Sequence, residues 1–208
     1  MPRPILAAFL ALLSLSLTLS ADAQDNSTAD RIEEDWVVTI ATPAPGVTCP
    51  QISTSIKADP SDSSRFAMFT LNYRDSPTFL AGGMQLKFQN GEQTLKSVSR
   101  GTAELQTAQE SITWTQRLRL SEGNLQFKIM AASSTTWGSI ASSDDFAVSI
   151  ASSLSSLAGY SPATSVLDSG ASFGSNRVAS MKLLRIRYYR GTTLLSTDET
   201  PRDVVLSN

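Results

Sequence analysis

The chain has 208 residues, of which 41% are hydrophobic and 17% charged, and its formal net charge is −2. This length and apolar content suffice for one domain with a sizeable core, and they exclude a chain that is disordered by composition. The small net charge predicts no nucleic-acid partner, because such proteins usually carry a concentrated basic surface. There is no histidine, and the single cysteine, Cys49, excludes an intramolecular disulfide bond. We expect Cys49 to be a small buried hydrophobe, with intermolecular pairing as the alternative.

The first 23 residues have the pattern of a secretory signal peptide. Arg3 supplies a positive start, residues 5–19 form a short apolar run, and Ala21-Asp22-Ala23 matches the A-x-A cleavage pattern. This run is too short for a comfortable membrane span, so we predict no membrane span after signal cleavage. The mature protein is predicted to be secreted, or periplasmic or at the cell surface, with residues 24–34 as a flexible N-terminal segment.

Segments that alternate apolar and polar side chains follow one another through the rest of the chain, and this period of two predicts β-strands. Asn90-Gly91 and residues 121–124 supply hairpin turns. The most regular hairpin covers 111–137, where Leu125, Phe127, Ile129 and Ala131 are predicted to share its buried face. The predicted strands cover 36–40, 51–57, 65–74, 79–88, 93–99, 111–120, 125–131, 135–140, 146–151, 177–190 and 194–196.

Four stretches are less regular. Gly82-Gly83 lies inside a predicted strand, which favours a β-bulge over a ligand contact. Residues 101–109 fit either a loop or one helical turn. Residues 152–176 are rich in Ser, Ala and Gly, and we predict a long surface excursion there. Residues 197–208 are predicted to be a polar C-terminal tail with one apolar patch at residues 204–206.

Many short strands and almost no helical periodicity predict an all-β domain over residues 35–196. Strands with one apolar face favour a two-sheet antiparallel β-sandwich, because the two inner faces then form the core. The chain length suits a jelly-roll or concanavalin-like sandwich, and the alternative is a closed β-barrel. Trp36 and Trp114 lie on apolar faces and are predicted to be core residues. In the last long strand, Leu184, Ile186 and Tyr188 are predicted to face inward.

The absence of histidine excludes a Ser-His-Asp triad and a Cys-His pair, and it removes the usual ligands of zinc sites. Residues 170–174 match G-x-S-x-G, but that motif acts only as a strand-turn-helix elbow with a histidine elsewhere. We therefore predict that the protein is not an enzyme and has no catalytic residues, no cofactor and no catalytic metal. A structural calcium ion is a minor alternative in the oxygen-rich loops at Asp59, Ser61 and Asp62 and at Asp168 and Asn176.

A glycosidase needs only two carboxylates, so it stays open as an alternative. The candidates fall mostly in loops or at strand ends, without the alternating spacing that would point several of them into one cleft. They are Glu33, Glu34, Asp35, Glu104, Glu110, Asp144 and Asp145.

The favoured prediction is a secreted, non-catalytic β-sandwich protein that binds a glycan. Aromatic rings in polar surroundings stack on sugars, and arginines bind acidic groups. These residues form the predicted ligand set: Trp137, Tyr160, Arg185, Arg187 and Tyr189. The alternative is a structural or surface-interaction protein of the cell envelope, in which the same face would contact another surface protein.

Overall fold

The computed structural model describes residues 26–42, 50–59, 61–62, 64–73, 83–100, 107–135, 138–141 and 146–206. Cys49 and the predicted signal peptide lie outside these residues. Within them the chain forms strands, one α-helix and a 3₁₀ turn at Ser175–Arg177. The strands and the helix are β1 (Arg31–Ile40), β2 (Gln51–Ile56), β3 (Arg65–Tyr73), β4 (Gly83–Asn90), β5 (Gln93–Arg100), β6 (Glu110–Ser121), β7 (Asn124–Ser134), β8 (Gly138–Ala141), β9 (Ala147–Ala151), α1 (Pro162–Leu167), β10 (Gly170–Ser172), β11 (Val178–Arg190), β12 (Thr193–Asp198) and β13 (Arg202–Asp203).

The strands form two antiparallel sheets that pack face to face and do not close into a barrel. The large sheet has the order β12-β11-β1-β6-β7-β8, with β13 also paired to β11 and β9 to β7. The small sheet has the order β10-β2-β3-β4-β5. The predicted two-sheet sandwich is therefore confirmed, and the barrel alternative is not observed.

β1 lies in the middle of the large sheet, between β6 and β11. Its side chains alternate strictly between buried and half-buried positions along all ten residues. The strand begins at Arg31, inside the segment predicted to be flexible. The start of the strand was not recognised because Glu34 occupies one of its inward positions. An inward-facing carboxylate interrupts the apolar–polar alternation, and here that carboxylate is fully buried.

Aromatic rings join the two sheets in the core. Phe69 of β3 contacts Trp114 of β6 edge to face, with ring centroids 5.5 Å apart, and Trp114 in turn stacks on Trp36 at 6.3 Å. Phe88 of β4 meets Phe127 of β7 at 6.4 Å. Edge-to-face and offset contacts at these distances are favourable arrangements for aromatic rings. The prediction that both tryptophans are core residues is confirmed.

Two bulges in the large sheet reverse the predicted direction of apolar side chains. The pairing of β1 with β11 shifts so that Leu184 is an extra residue, and this side chain is 37% exposed while Ile186 and Tyr188 are buried as predicted. The pairing of β6 with β7 shifts at Met130, so Ala131 is exposed and Ala132 is buried instead. A bulge inserts one residue and changes the alternation beyond it, which a period of two does not reveal.

The segment 152–176 connects the two sheets instead of running only over the surface. Leu157 and Tyr160 are buried, α1 begins with Pro162 in its first turn, and β10 pairs with β2 at the edge of the small sheet. Proline is favoured at that helical position because it needs no backbone N–H donor there. The excursion predicted from composition is therefore partly a core element.

The C-terminal region also departs from the prediction of a polar tail. β12 extends to Asp198, and β13 pairs with β11 through Asp203 opposite Lys182. Val204, which follows β13, is buried, whereas Val205 is 92% exposed. Val204, together with the partly buried Leu206, thus anchors the tail on the core.

The irregularity predicted at Gly82-Gly83 lies on the neighbouring strand. Gly82 is outside the described residues, and Gly83 pairs with Tyr73. The extra residue is Asn72 of β3, which has a φ of 57° and donates its side-chain amide to the carbonyl of Pro50 at 2.8 Å. Asn tolerates this left-handed conformation better than most residues do.

Candidate functional site

The structure brings three of the five predicted ligand residues together. Arg185, Arg187 and Tyr189 share the outer face of β11, as their alternation predicted. Tyr160 is only 8% exposed, and its hydroxyl donates to Glu34 at 2.6 Å, so its ring is not presented to a ligand. Tyr160 is held inward because its segment packs into the core, which the Ser- and Gly-rich sequence did not indicate. Trp137 lies outside the described residues.

β1 and β6 add more arginines beside these residues. Arg31 of β1 lies opposite Tyr189 of β11 and Arg119 of β6. Glu33 of β1 lies opposite Arg187 of β11 and Arg117 of β6. The term arginine face is used here for this outer surface of the large sheet. Its charged members on β1, β6 and β11 are Arg31, Glu33, Asp35, Arg117, Arg119, Arg185 and Arg187. Lys128 of β7 lies opposite Arg117, and Glu199 lies beside Arg185.

Asp35 organises one end of the arginine face. Its Oδ2 accepts a hydrogen bond from Arg185 Nε at 2.8 Å, and Arg185 Nη2 lies 2.7 Å from the same oxygen. Its Oδ1 accepts from Arg187 Nη2 at 3.0 Å and from the Thr115 hydroxyl at 2.7 Å. The hydrogen bonds and charge of Asp35 raise the pKa of Arg185 above its ordinary value, so this guanidinium is always charged.

Glu33 and Tyr189 hold the other end. Glu33 Oε2 lies 3.3 Å from Arg187 Nη2, and Glu33 Oε1 lies 3.6 Å from Arg31 Nε. The guanidinium of Arg31 stacks on the ring of Tyr189, 3.8 Å from its centroid, in a cation–π contact. One face of the Tyr189 ring is therefore covered by Arg31, and only the rest of the ring is free to contact a sugar.

Cations outnumber carboxylates on the arginine face. Arg119 forms no ion pair with any residue that the structure describes, and it is partly exposed. The Nε–H groups of Arg31 and Arg187 are buried and find no hydrogen-bond acceptor among the described residues. A guanidinium carries five donors, so the carboxylates of Glu33, Asp35 and Glu199 cannot satisfy all five guanidinium groups of this cluster. The face is therefore electropositive and short of acceptors, although the chain as a whole has a net charge of −2.

A shallow depression of about 430 Å³ lies next to Arg185 and Arg187 on the same face. Small side chains of β6 and β7 form its floor. Leu184 and Ala131, the two apolar residues turned outward by the bulges, contribute to its lining together with Met130. The bulges thus place apolar groups beside the cationic cluster. The floor consists of Thr113, Thr115, Ala131 and Ser133.

The described carboxylates among the glycosidase candidates all have structural partners. Glu33 and Asp35 form the ion pairs given above, and Glu110 is fully buried and accepts from the Ser134 hydroxyl at 2.8 Å. Glu34 is enclosed in the core. Glu104, Asp144 and Asp145 lie outside the described residues.

Glu34 is the centre of a buried polar network. Its Oε2 accepts from Trp36 Nε1 at 2.9 Å and from Gln116 Nε2 at 2.6 Å, and its Oε1 accepts from the Tyr160 hydroxyl. Burial raises the pKa of Glu34 above its ordinary value, and the hydrogen bonds oppose this only in part. Burial and the charge of Glu34 raise the pKa of Tyr160 well above its usual range, so the proton stays on the phenol. Gln116 extends the network to the small sheet by accepting from the Thr54 hydroxyl at 2.7 Å.

The structure describes the acidic residues of both candidate calcium loops and the G-x-S-x-G match. In the part of the chain that it describes, no three His, Cys, Asp or Glu side chains are grouped to hold a metal ion. Asp59 accepts hydrogen bonds from Ser61, and Asp168 forms an ion pair with Lys57 at 2.5 Å. The G-x-S-x-G match at 170–174 begins in β10 and is followed by the 3₁₀ turn, so it is not a strand-turn-helix elbow.

No protein-family model, no curated protein and no solved structure matches this chain. Among the helices that the structure describes, none is long and apolar enough to span a membrane.

Proposed function

We propose that this protein is a secreted, non-catalytic binding module whose arginine face binds an acidic polysaccharide. The observation that carries the proposal is the excess of guanidinium groups over carboxylates on one exposed sheet face, in a chain of negative net charge. Guanidinium groups bind carboxylates and sulfates through paired hydrogen bonds, which suits uronic acids and sulfated sugars.

The geometry favours charge recognition over ring stacking. Tyr160 is buried and Arg31 covers one face of Tyr189, so neither of these two described rings offers the arginine face the flat aromatic platform expected for neutral sugars. Arg119 is the most available cation, because it has no ion-pair partner there. The adjoining depression gives room for a sugar ring, and its floor carries hydroxyl oxygens that can accept hydrogen bonds from sugar hydroxyl groups.

The test compares polygalacturonate, heparin and neutral dextran as immobilised probes for the full chain, at low and at high NaCl. We expect binding to the two acidic polymers and not to dextran, and we expect it to weaken with salt, because screening shortens the range of surface charge interactions. Arg119→Gln is expected to weaken binding by about 1.5- to 5-fold, the range for one exposed charge pair.

Lys96→Gln is the matched control, because it removes one exposed cation from β5 of the small sheet without touching the arginine face. Equal losses in both variants would mean that overall charge and not this face governs binding, and they would refute the proposal. Binding to dextran alone would refute it as well. If none of the three polymers binds the folded protein, the glycan proposal is wrong, and the envelope-protein alternative becomes the working hypothesis.

A further inference from the structure

A second cavity, remote from the arginine face, opens at one end of the sandwich. It has a volume of about 150 Å³ and lies between the inner faces of the two sheets. Ile56, Ala67 and Phe88 line it from the small sheet, and Leu125 and Ile150 line it from the large sheet. All of these residues except Ile150, which is partly buried, belong to the buried core. The floor of the cavity is therefore a continuation of that core.

Small side chains leave this space open. Ala67 is buried on the inner face of β3, and Ala58, just after β2, is also buried and lines the same cavity. Protein interiors are normally packed as tightly as organic crystals, and an apolar cavity of this size in a protein core accepts ring-sized apolar molecules. A volume of about 150 Å³ accommodates a group the size of a benzene ring.

The mouth of the cavity is polar and carries more negative than positive charge. Asp59, Asp62 and Arg65 line it from the small-sheet side, and Ser152 and Ser153 line it from the segment after β9. Arg65 Nε lies 3.9 Å from Asp62 Oδ2, which is a loose, exposed ion pair. Two carboxylates thus face one guanidinium, and the serines add hydrogen-bonding hydroxyl groups.

Asp62 keeps its charge over a wide pH range. Its Oδ1 accepts a hydrogen bond from the Ser64 hydroxyl at 2.7 Å, and this bond lowers the pKa of Asp62 below its ordinary value. An exposed carboxylate at the rim of an apolar cavity attracts a cation more than an anion.

We propose that this cavity binds a small amphiphilic amine, with an apolar group of about benzene size between the sheets and the ammonium group at the carboxylate-lined mouth. The apolar contacts supply the affinity, and Asp59 and Asp62 select the charge of the head group. This proposal does not depend on the arginine face, because the two sites share no residues.

The experiment measures binding of benzylamine, benzyl alcohol and benzoate to the full chain by ligand-observed NMR and calorimetry near neutral pH. We expect benzylamine to bind more tightly than benzyl alcohol, and benzoate to bind most weakly. Ala67→Leu places a larger side chain in the cavity and is expected to reduce benzylamine affinity at least tenfold while raising the melting temperature, since it fills empty space. Ala163→Leu adds the same group at an exposed position of α1 and is expected to leave binding unchanged.

Ala67→Val is the second filling variant, to be used if leucine overpacks the site and the protein does not fold. Asp62→Asn is expected to lower the preference for benzylamine over benzyl alcohol by about 1.5- to 5-fold, as removal of one exposed charge pair does. Binding of benzylamine that survives both cavity-filling variants, or no binding of any of the three compounds to the native chain, would overturn the proposal. Benzoate binding as tightly as benzylamine would overturn the assignment of a cationic head group.

Discussion

Tyr160→Phe should destabilise the protein by about 2 kcal/mol, because it deletes one hydroxyl at the centre of the buried network. That hydroxyl donates to Glu34 Oε1 at 2.6 Å, in a site where the carboxylate is fully buried and Tyr160 is only 8% exposed. Hydrogen bonds to charged groups contribute roughly 1.5–3 kcal/mol, and the phenyl ring keeps the contact of Tyr160 with Tyr188. For a chain of this size the loss corresponds to a fall in melting temperature of about 4–8 °C.

The loss of stability in Tyr160→Phe should also depend on pH, and the pKa of Glu34 sets the direction of that dependence. Its pKa is raised in the folded protein, so the folded state binds the proton more tightly than the unfolded chain, whose ordinary value is 4.5. The contribution of Glu34 to stability is therefore fully present below that pH and is lost as the pH rises through its raised pKa. Loss of the Tyr160 hydroxyl, which favours the ionised carboxylate, raises this pKa further. The difference between variant and native protein should thus grow from acid to neutral pH.

Urea unfolding followed by tryptophan fluorescence measures this directly, because Trp36 donates to Glu34 and reports on the network. Tyr189→Phe is the matched control, since it removes a phenol hydroxyl on the outer face of β11 and should change the unfolding free energy by less than about 0.5 kcal/mol. Equal effects of the two substitutions, or a Tyr160→Phe penalty that does not vary with pH, would show that the hydroxyl does not support the buried carboxylate.

Substitutions in the core and in one turn should change stability in three further ways. Phe69→Ala should lower the unfolding free energy by about 3–5 kcal/mol in urea titrations, since it removes the ring that bridges the sheets at Trp114; a loss below 1 kcal/mol would contradict that role. Glu34→Gln should abolish the decline in melting temperature with rising pH above 4.5, and a persisting decline would assign it to another group. Gly91→Ala, at φ +59°, should cost about 1 kcal/mol by calorimetry, whereas Gly170→Ala should be nearly neutral, and equal effects would argue against strain at Gly91.

Alternation of apolar and polar residues was enough to predict most strands and the sandwich, because each strand buries one face. It also placed Arg185, Arg187 and Tyr189 correctly on one face. It did not predict that the Leu184 side chain faces solvent, because the residue types in the strand do not indicate a bulge. It missed the buried position of Tyr160, because that depends on a hydrogen bond to a residue 126 positions away.

Only part of the arginine face could be predicted from the sequence. Arg185 and Arg187 were recognised as neighbours because they lie on one strand. The contributions of Arg31 and Arg119 depend on β1 pairing between β11 and β6, and such long-range pairing is not encoded in local periodicity. The presence of Glu34 in the middle of an apolar face further obscured the strand that carries Arg31.

The central position of β1 has a consequence for how the chain folds. Asp35 binds Thr115, 80 residues later, and Arg185, 150 residues later, so both neighbours of this strand come from distant parts of the sequence. Contacts with such large sequence separation close slowly, because the entropy of long loops is lost before the contacts form. One backbone edge of β1 therefore stays unpaired until β11 has been made. Refolding of the purified chain should accordingly be slow, and at high concentration it should compete with aggregation through that strand.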